Sequence, residues 1–210
     1  MPDDFETRLT AVLDEHPPRR VQMRGTRAAA VLLPLVGGPE PSLLFTVRTD
    51  TVPSHRGQIS FPGGSIDRAD RSARSAALRE AHEEIGLNPS AVRVLGELDA
   101  LPTFVSGYVI APFVGWVDGR PVLRPNPAEV AEILAVPVTE LTENIRRGAG
   151  FVHGGRDYPT EAWIWKGNVI WGATARILRS FLELVAEAGL TEPPGDEPDW
   201  PQWARLGAGP

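Results

Sequence analysis

Apolar residues along this chain recur with two periods, and the change from one to the other lays out its elements. Over residues 3–16, Phe5, Leu9, Val12 and Leu13 fall at helical spacing, which predicts a short amphipathic helix. Pro17, Pro18, Arg19 and Arg20 end it and open a brief linker. Residues 28–36 and 42–49 are apolar and β-rich, and Gly37, Gly38 and Pro39 between them predict a hairpin. A polar loop over residues 50–60 delivers the chain through Ile59, Ser60, Phe61 and Pro62 to a second helix, with Leu78, Ala81 and Ile85 on one face. Residues 92–101, 109–117 and 132–138 then read as strands, and residues 141–147 as a short helix closed by Gly148. A second hairpin is expected between residues 151–152 and 161–165, turning around Gly154 to Pro159. Residues 174–188 form the strongest amphipathic pattern, with Ile177, Leu178, Phe181, Leu182 and Val185 facing a core. The expected organisation is an N-terminal helix and linker over residues 1–24, one α/β domain over 25–190 and a Pro/Gly-rich tail over 191–210. Trp200 and Trp203 in that tail are apolar enough to fold back onto the domain or onto a partner. The domain itself is expected to be a mixed β-sheet sandwiched between helices.

The chemistry concentrates in the second helix. Glu80, Glu83 and Glu84 stand at i, i+3 and i+4, so a helix places all three carboxylates on one face. Ser72 or Asp70 is suited to cap its start, and Gly86 to take the left-handed conformation that ends it. Like charges on one turn repel by a few tenths of a kcal/mol per pair, so the cluster calls for compensation. A hard divalent cation supplies it, because Mg²⁺ and Mn²⁺ favour carboxylate oxygens and share their shells with phosphates. The Gly63-Gly64 pair lets the backbone approach such a site, where a carbonyl can add a ligand. A solvated acidic face braced by an Arg79–Glu83 ion pair is the plainer alternative, but the glycine pair, the arginine and the terminal Gly86-Leu87 in register favour the metal.

Composition narrows the function classes. The hydrophobic share of 42% and charged share of 23% are those of a soluble globular protein. No apolar run nears the ~20 residues a membrane span needs, and the N-terminus does not resemble a signal peptide. With no cysteine, disulfides, thiolate metal sites and cysteine catalysis are excluded, and a cytoplasmic setting is expected. A net charge of −6 argues against a duplex nucleic-acid binder, although cations and local arginines can still draw in a polyanion. Lys166 is the sole lysine, so arginine is the default cation here and individual arginines carry less weight as signals.

Gly64, five residues, Asp70, then Arg79-Glu80-Ala81-His82-Glu83-Glu84-Ile85-Gly86-Leu87 resembles the signature box of the Nudix hydrolases. It departs twice, with Asp70 where the box carries Glu and eight rather than seven residues before Arg79. Both departures resemble the coenzyme A pyrophosphatase branch. So do Leu44-Phe45-Thr46-Val47-Arg48-Thr49 and Gly57-Gln58-Ile59-Ser60-Phe61-Pro62-Gly63-Gly64. Further matching pieces are Leu101-Pro102-Thr103, Ala111-Pro112-Phe113, Glu129-Val130, Tyr158-Pro159 and Trp171-Gly172-Ala173-Thr174-Ala175. Pro53 replaces the arginine that this branch usually carries between the two upstream segments, and His55 and Arg56 are candidates to compensate it.

The resemblance implies a Nudix fold and a Mg²⁺- or Mn²⁺-dependent hydrolase of a small-molecule nucleoside diphosphate derivative. Glu80 and Glu84 would be the primary metal ligands, and Glu83 would share a second ion or bind through water. A Gly63 or Gly64 carbonyl would add a ligand, and Arg79 would orient the carboxylates. Metal-activated water needs little further help, or Glu129 accepts its proton. Arg27 and Arg48 are candidates for phosphate contacts, with His55 and Arg56 beside them. Coenzyme A and its derivatives would be cut to 3′,5′-ADP and 4′-phosphopantetheine; NADH or ADP-ribose is the alternative suggested by Pro53. A Nudix-fold sensing module without catalysis stays open, an RNA-decapping role is disfavoured, and a homodimer is left open.

Overall fold

A computed structural model describes residues 2–49, 57–103, 106–143, 151–153, 156–158 and 162–194. The predicted N-terminal helix is α1 (Pro2–Glu15), which buries Leu9 and Leu13. Strands β1 (Arg27–Val36) and β2 (Ser42–Arg48) form the predicted hairpin, in register from Leu35 opposite Leu43. Two short strands follow, β3 (Ile59–Ser60) beside β2 and β4 (Gly63–Ser65) beside β1. The carboxylate helix is α2 (Ala73–Ile85). Then come β5 (Val92–Glu97), β6 (Leu101–Thr103), β7 (Tyr108–Val117), β8 (Val130–Pro137) and the helix α3 (Val138–Glu143). Two hairpin pairs, β9 (Phe151–His153) with β10 (Arg156–Tyr158) and β11 (Ala162–Trp165) with β12 (Asn168–Trp171), precede the last helix, α4 (Gly172–Glu187).

The main sheet, among the described residues, runs β3-β2-β1-β7-β5, with β4 also paired to β1, β6 to β7 and β8 to β2. The β1–β7 pair is parallel along ten residues and the other ladders are antiparallel, so the sheet is mixed, as expected. Side-chain alternation along β1 divides the core. Ala30 and Leu32 pack with Ala76, Ala77, Ala81 and Ile85 of α2. Leu33 and Leu35 pack on the other face with Leu9 and Leu13 of α1 and with Leu178, Phe181 and Leu182 of α4. Helices therefore cover both faces.

Three local expectations are corrected. The single strand over 92–101 is two strands, because the chain turns between β5 and β6 and Leu98 N–H donates to the Pro112 carbonyl at 2.9 Å. The helix expected over 141–147 starts at Val138, directly out of β8; residues 144–150, Gly148 included, lie outside the described residues. The hairpin expected between 151–152 and 161–165 is replaced by two tighter ones. Lys166 and Gly167 turn the second with φ of 47° and 85°, the paired positive values that suit the twist of a two-residue hairpin. Lys166 is braced there by a salt bridge to Glu140 at 2.9 Å and by stacking 4.6 Å above the Trp165 ring. Trp200 and Trp203 lie outside the described residues.

Candidate active site

Helix α2 is built to present its acidic face. Of the two candidate caps, Ser72 takes the role: its side chain accepts from Ser75 N–H while the Ser75 hydroxyl accepts from Ser72 N–H. Gly86 ends the helix at φ 69°. The alanines on the sheet side let the helix sit close to β1, and the carboxylate face leans over β4.

Glu84 is buried, Glu80 half-buried and Glu83 exposed. A Cβ at Gly64 would stand 2.6 Å from Glu80 Oε1, so the absence of a side chain is what admits that carboxylate. Gly63 N–H donates to Glu84 Oε2 at 3.3 Å. Loss of water pushes the Glu84 carboxyl up to about 7, with Glu80 and Glu129 adding repulsion against the pull of the Gly63 amide and Arg48. Glu80 is raised as well, first by burial and then by Glu83 and Glu129 against the pull of Arg79.

Arg79 ties the face together. Its Nε and Nη2 grip Asp70 at 3.0 Å each, Nη2 also reaches the Ser65 carbonyl at 3.2 Å, and Nη1 meets Glu83 at 2.9 Å and Glu80 at 3.0 Å. That bidentate grip holds the Asp70 carboxyl below its ordinary range. The Asp that departs from the signature box is thus the partner of the box arginine.

Two more charged groups converge from outside the helix. Arg48 follows a register shift in β2 at Val47/Arg48 and brings Nη1 to 4.0 Å from Glu84 Oε1. Its Nε–H is buried and meets no hydrogen-bond acceptor among the described residues. Glu129 arrives on the segment joining β7 to β8, which folds under the C-terminus of α2. There Arg124 N–H donates to the Ile85 carbonyl and Asn126 N–H to the Glu84 carbonyl, both at 2.8 Å, satisfying carbonyls that a helix end leaves open.

Glu80, Glu83, Glu84, Arg79, Gly63, Gly64, Arg48 and Glu129 therefore share one neighbourhood. Arg27 stands apart at the start of β1, stacked 4.2 Å from the Tyr108 ring centroid. Tyr108 OH lies 3.3 Å from Ser65 Oγ, one residue along from Gly64. His55 and Arg56 fall outside the described residues. Sequence reasoning missed Asn126 and Tyr108; the prolines on either side of Asn126 were the available signal for a constrained turn. Among the described residues no three acidic or histidine side chains converge as a ready-made metal cage, and Arg79 engages Glu80 and Glu83. The donor chemistry nevertheless suits a hard divalent cation. Two desolvated, mutually repelling carboxylates face a glycine backbone, and all the donors are oxygen.

A family model described as the NUDIX domain matches residues 25–153. The chain belongs to the Nudix family. A Nudix hydrolase of Photorhabdus laumondii, named NudL and described as uncharacterized, is 38% identical over 87% of this chain and 96% of its own length. A NudL of Pectobacterium atrosepticum is 37% identical over 88% of this chain and 95% of its own. The MutT/nudix family protein of Enterococcus faecalis superposes with a TM-score of 0.50 at 13% identity, covering 89% of this chain and 73% of that one, which supports the Nudix fold alone. The protein is a Nudix hydrolase, an enzyme of the class that hydrolyses diphosphate linkages. Among the described residues no helix is long and apolar enough to cross a membrane.

Proposed function

We propose that this Nudix hydrolase uses Mg²⁺ or Mn²⁺ to cleave coenzyme A or a coenzyme A derivative at its diphosphate, with residues 25–190 as the catalytic unit. The observation that carries the reading is the pair of desolvated carboxylates, Glu80 and Glu84, set against the Gly63-Gly64 backbone. Glu80 and Glu84 would hold the cation, with Glu83 and a Gly63 or Gly64 carbonyl as further donors. Bound there, the cation supplies charge neutralisation of the diphosphate oxygens and activation of water.

The chain's own groups do the rest. Arg79, locked on Asp70, fixes the rotamers of Glu80 and Glu83. Arg48 offers donors to the diphosphate from beside Glu84. Glu129 takes the proton of the attacking water. Water adds to one phosphorus as its bond to the bridging oxygen breaks, leaving 3′,5′-ADP and 4′-phosphopantetheine. Arg27, with His55 and Arg56, would contact the phosphate groups farther from the reacting centre.

The coenzyme A assignment is supported by the branch-specific segments around Arg48, Phe61-Pro62-Gly63-Gly64 and Asp70. Pro53 favours a second reading in which NADH or ADP-ribose is the substrate. Phosphorus NMR and mass spectrometry of coenzyme A incubated with enzyme and Mg²⁺ or Mn²⁺ test the choice. The two named products are expected. Cleavage of NADH or ADP-ribose but not of coenzyme A would move the specificity to the second reading, and inertness towards all three would contradict both.

A further inference from the structure

Asn126 makes four hydrogen bonds that join two parts of the site. Its N–H donates to the Glu84 carbonyl at 2.8 Å. Its own carbonyl accepts from Glu129 N–H at 3.0 Å and from Val130 N–H at 2.8 Å. Its side-chain Oδ1 accepts from Ala128 N–H at 3.1 Å, the local closure by which Asn shapes a turn. Pro125 and Pro127 flank it, and a residue before proline is restricted away from helical backbone. The far side of the turn is held too. Thr49 N–H donates to the Glu129 carbonyl at 3.0 Å, and Thr49 Oγ1 to the Ala128 carbonyl at 3.3 Å. Asn126 is thus bonded at once to the Glu84 backbone and to the Glu129 backbone.

We propose that Asn126 is a positioning residue that locks Glu129 to the C-terminal turn of α2, so that the proton acceptor and the Glu80–Glu84 carboxylates are held as one unit. The inference rests on the reading of Glu129 as proton acceptor given above, and it adds a residue outside the signature box to the machinery. The main-chain bonds survive any side-chain change. The side chain contributes the Ala128 contact, which sets how the chain turns over the next two residues to Glu129. Removing it leaves the helix, the sheet and these main-chain bonds in place, and loosens the turn through Pro127 and Ala128 that aims the Glu129 side chain.

A double-mutant cycle on the full chain tests this, with the diphosphate substrate that the wild-type enzyme cleaves best. Asn126→Ala is expected to lower kcat by about 10- to 100-fold with KM unchanged, the size usual for a group that orients a reacting residue. Asn126→Ser, whose hydroxyl can accept from the same N–H, is expected to recover most of it. In the Glu129→Gln background the Asn126→Ala loss is expected to vanish, because there is no base left to orient. Circular dichroism and melting temperature confirm that each variant is folded. An undiminished Asn126→Ala loss in that background, or an Asn126→Ala enzyme as fast as wild type, overturns the positioning role alone. A Glu129→Gln enzyme as fast as wild type overturns the reading of Glu129 and the positioning role with it. A wild-type protein inert on every diphosphate overturns the proposed function itself.

Discussion

A methyl group at position 64 would stand 2.6 Å from Glu80 Oε1 and 2.7 Å from its carboxyl carbon, closer than real contacts allow. The backbone of β4 is paired to Ala30 at that point and cannot retreat, so the carboxylate has to move. Gly64→Ala is therefore expected to keep the fold and to lower kcat/KM by about 100-fold, the scale of an ångström-level displacement at a reacting centre. Steady-state kinetics beside a thermal melt checks it; an unchanged rate would mean that Glu80 does not need its present position. This residue was half legible in the sequence. The glycine pair announced a close approach, whereas the approaching atom is known only from the packing of α2 over β4. Asp70 was similar: its place in the motif could be read, but its bidentate grip on Arg79 depends on how the intervening loop folds.

Helix α2 was the most legible element, because its period, its Ser72 cap and its Gly86 terminus are all written in local sequence. Gly86 does two things. It takes φ 69°, and a Cβ there would lie 3.2 Å from Arg124 N, in the segment that carries Glu129. Gly86→Ala should lower the unfolding free energy by about 1–2 kcal/mol through left-handed strain, and Gly86→Asn by less, since Asn tolerates that conformation. Urea denaturation of the three proteins measures it. If alanine proved neutral, the C-terminal turn would be looser than these contacts imply. The β11–β12 hairpin escaped notice for the opposite reason. A lysine has no preference for positive φ, and Lys166 holds it through the neighbouring Trp165 and through Glu140, a partner distant in sequence that the Trp165 indole also reaches. The break between β5 and β6 was hidden likewise, because the bond that marks it joins Leu98 to Pro112.

At the scale of the whole molecule, the buried carboxylates give stability an unusual pH dependence. Glu84 in the folded protein holds its proton up to about 7, against an ordinary value of 4.5. Its contribution to stability is thus fully present below 4.5, shrinks as the unfolded chain ionises, and is gone once pH has passed about 7. The shift corresponds to a loss of about 3 kcal/mol at most. Asp70 acts in a separate, more acidic window with the opposite sign, since its lowered value favours the fold as pH rises. In EDTA the melting temperature should accordingly fall between pH 5 and pH 8, and Mn²⁺ should raise it more at pH 8 than at pH 6, because cation and proton compete for the same oxygens. A melting temperature that climbs across that interval in EDTA would contradict the burial of Glu84. The measurement that reaches the centre of the account is a Mn²⁺ titration followed by electron paramagnetic resonance, on the wild-type protein and on folded Glu84→Gln at pH 8. Wild type should bind Mn²⁺ and Glu84→Gln should bind it at least about 100-fold more weakly, as loss of a direct ligand requires; equal binding by the two would show that the α2 carboxylates are not the metal site.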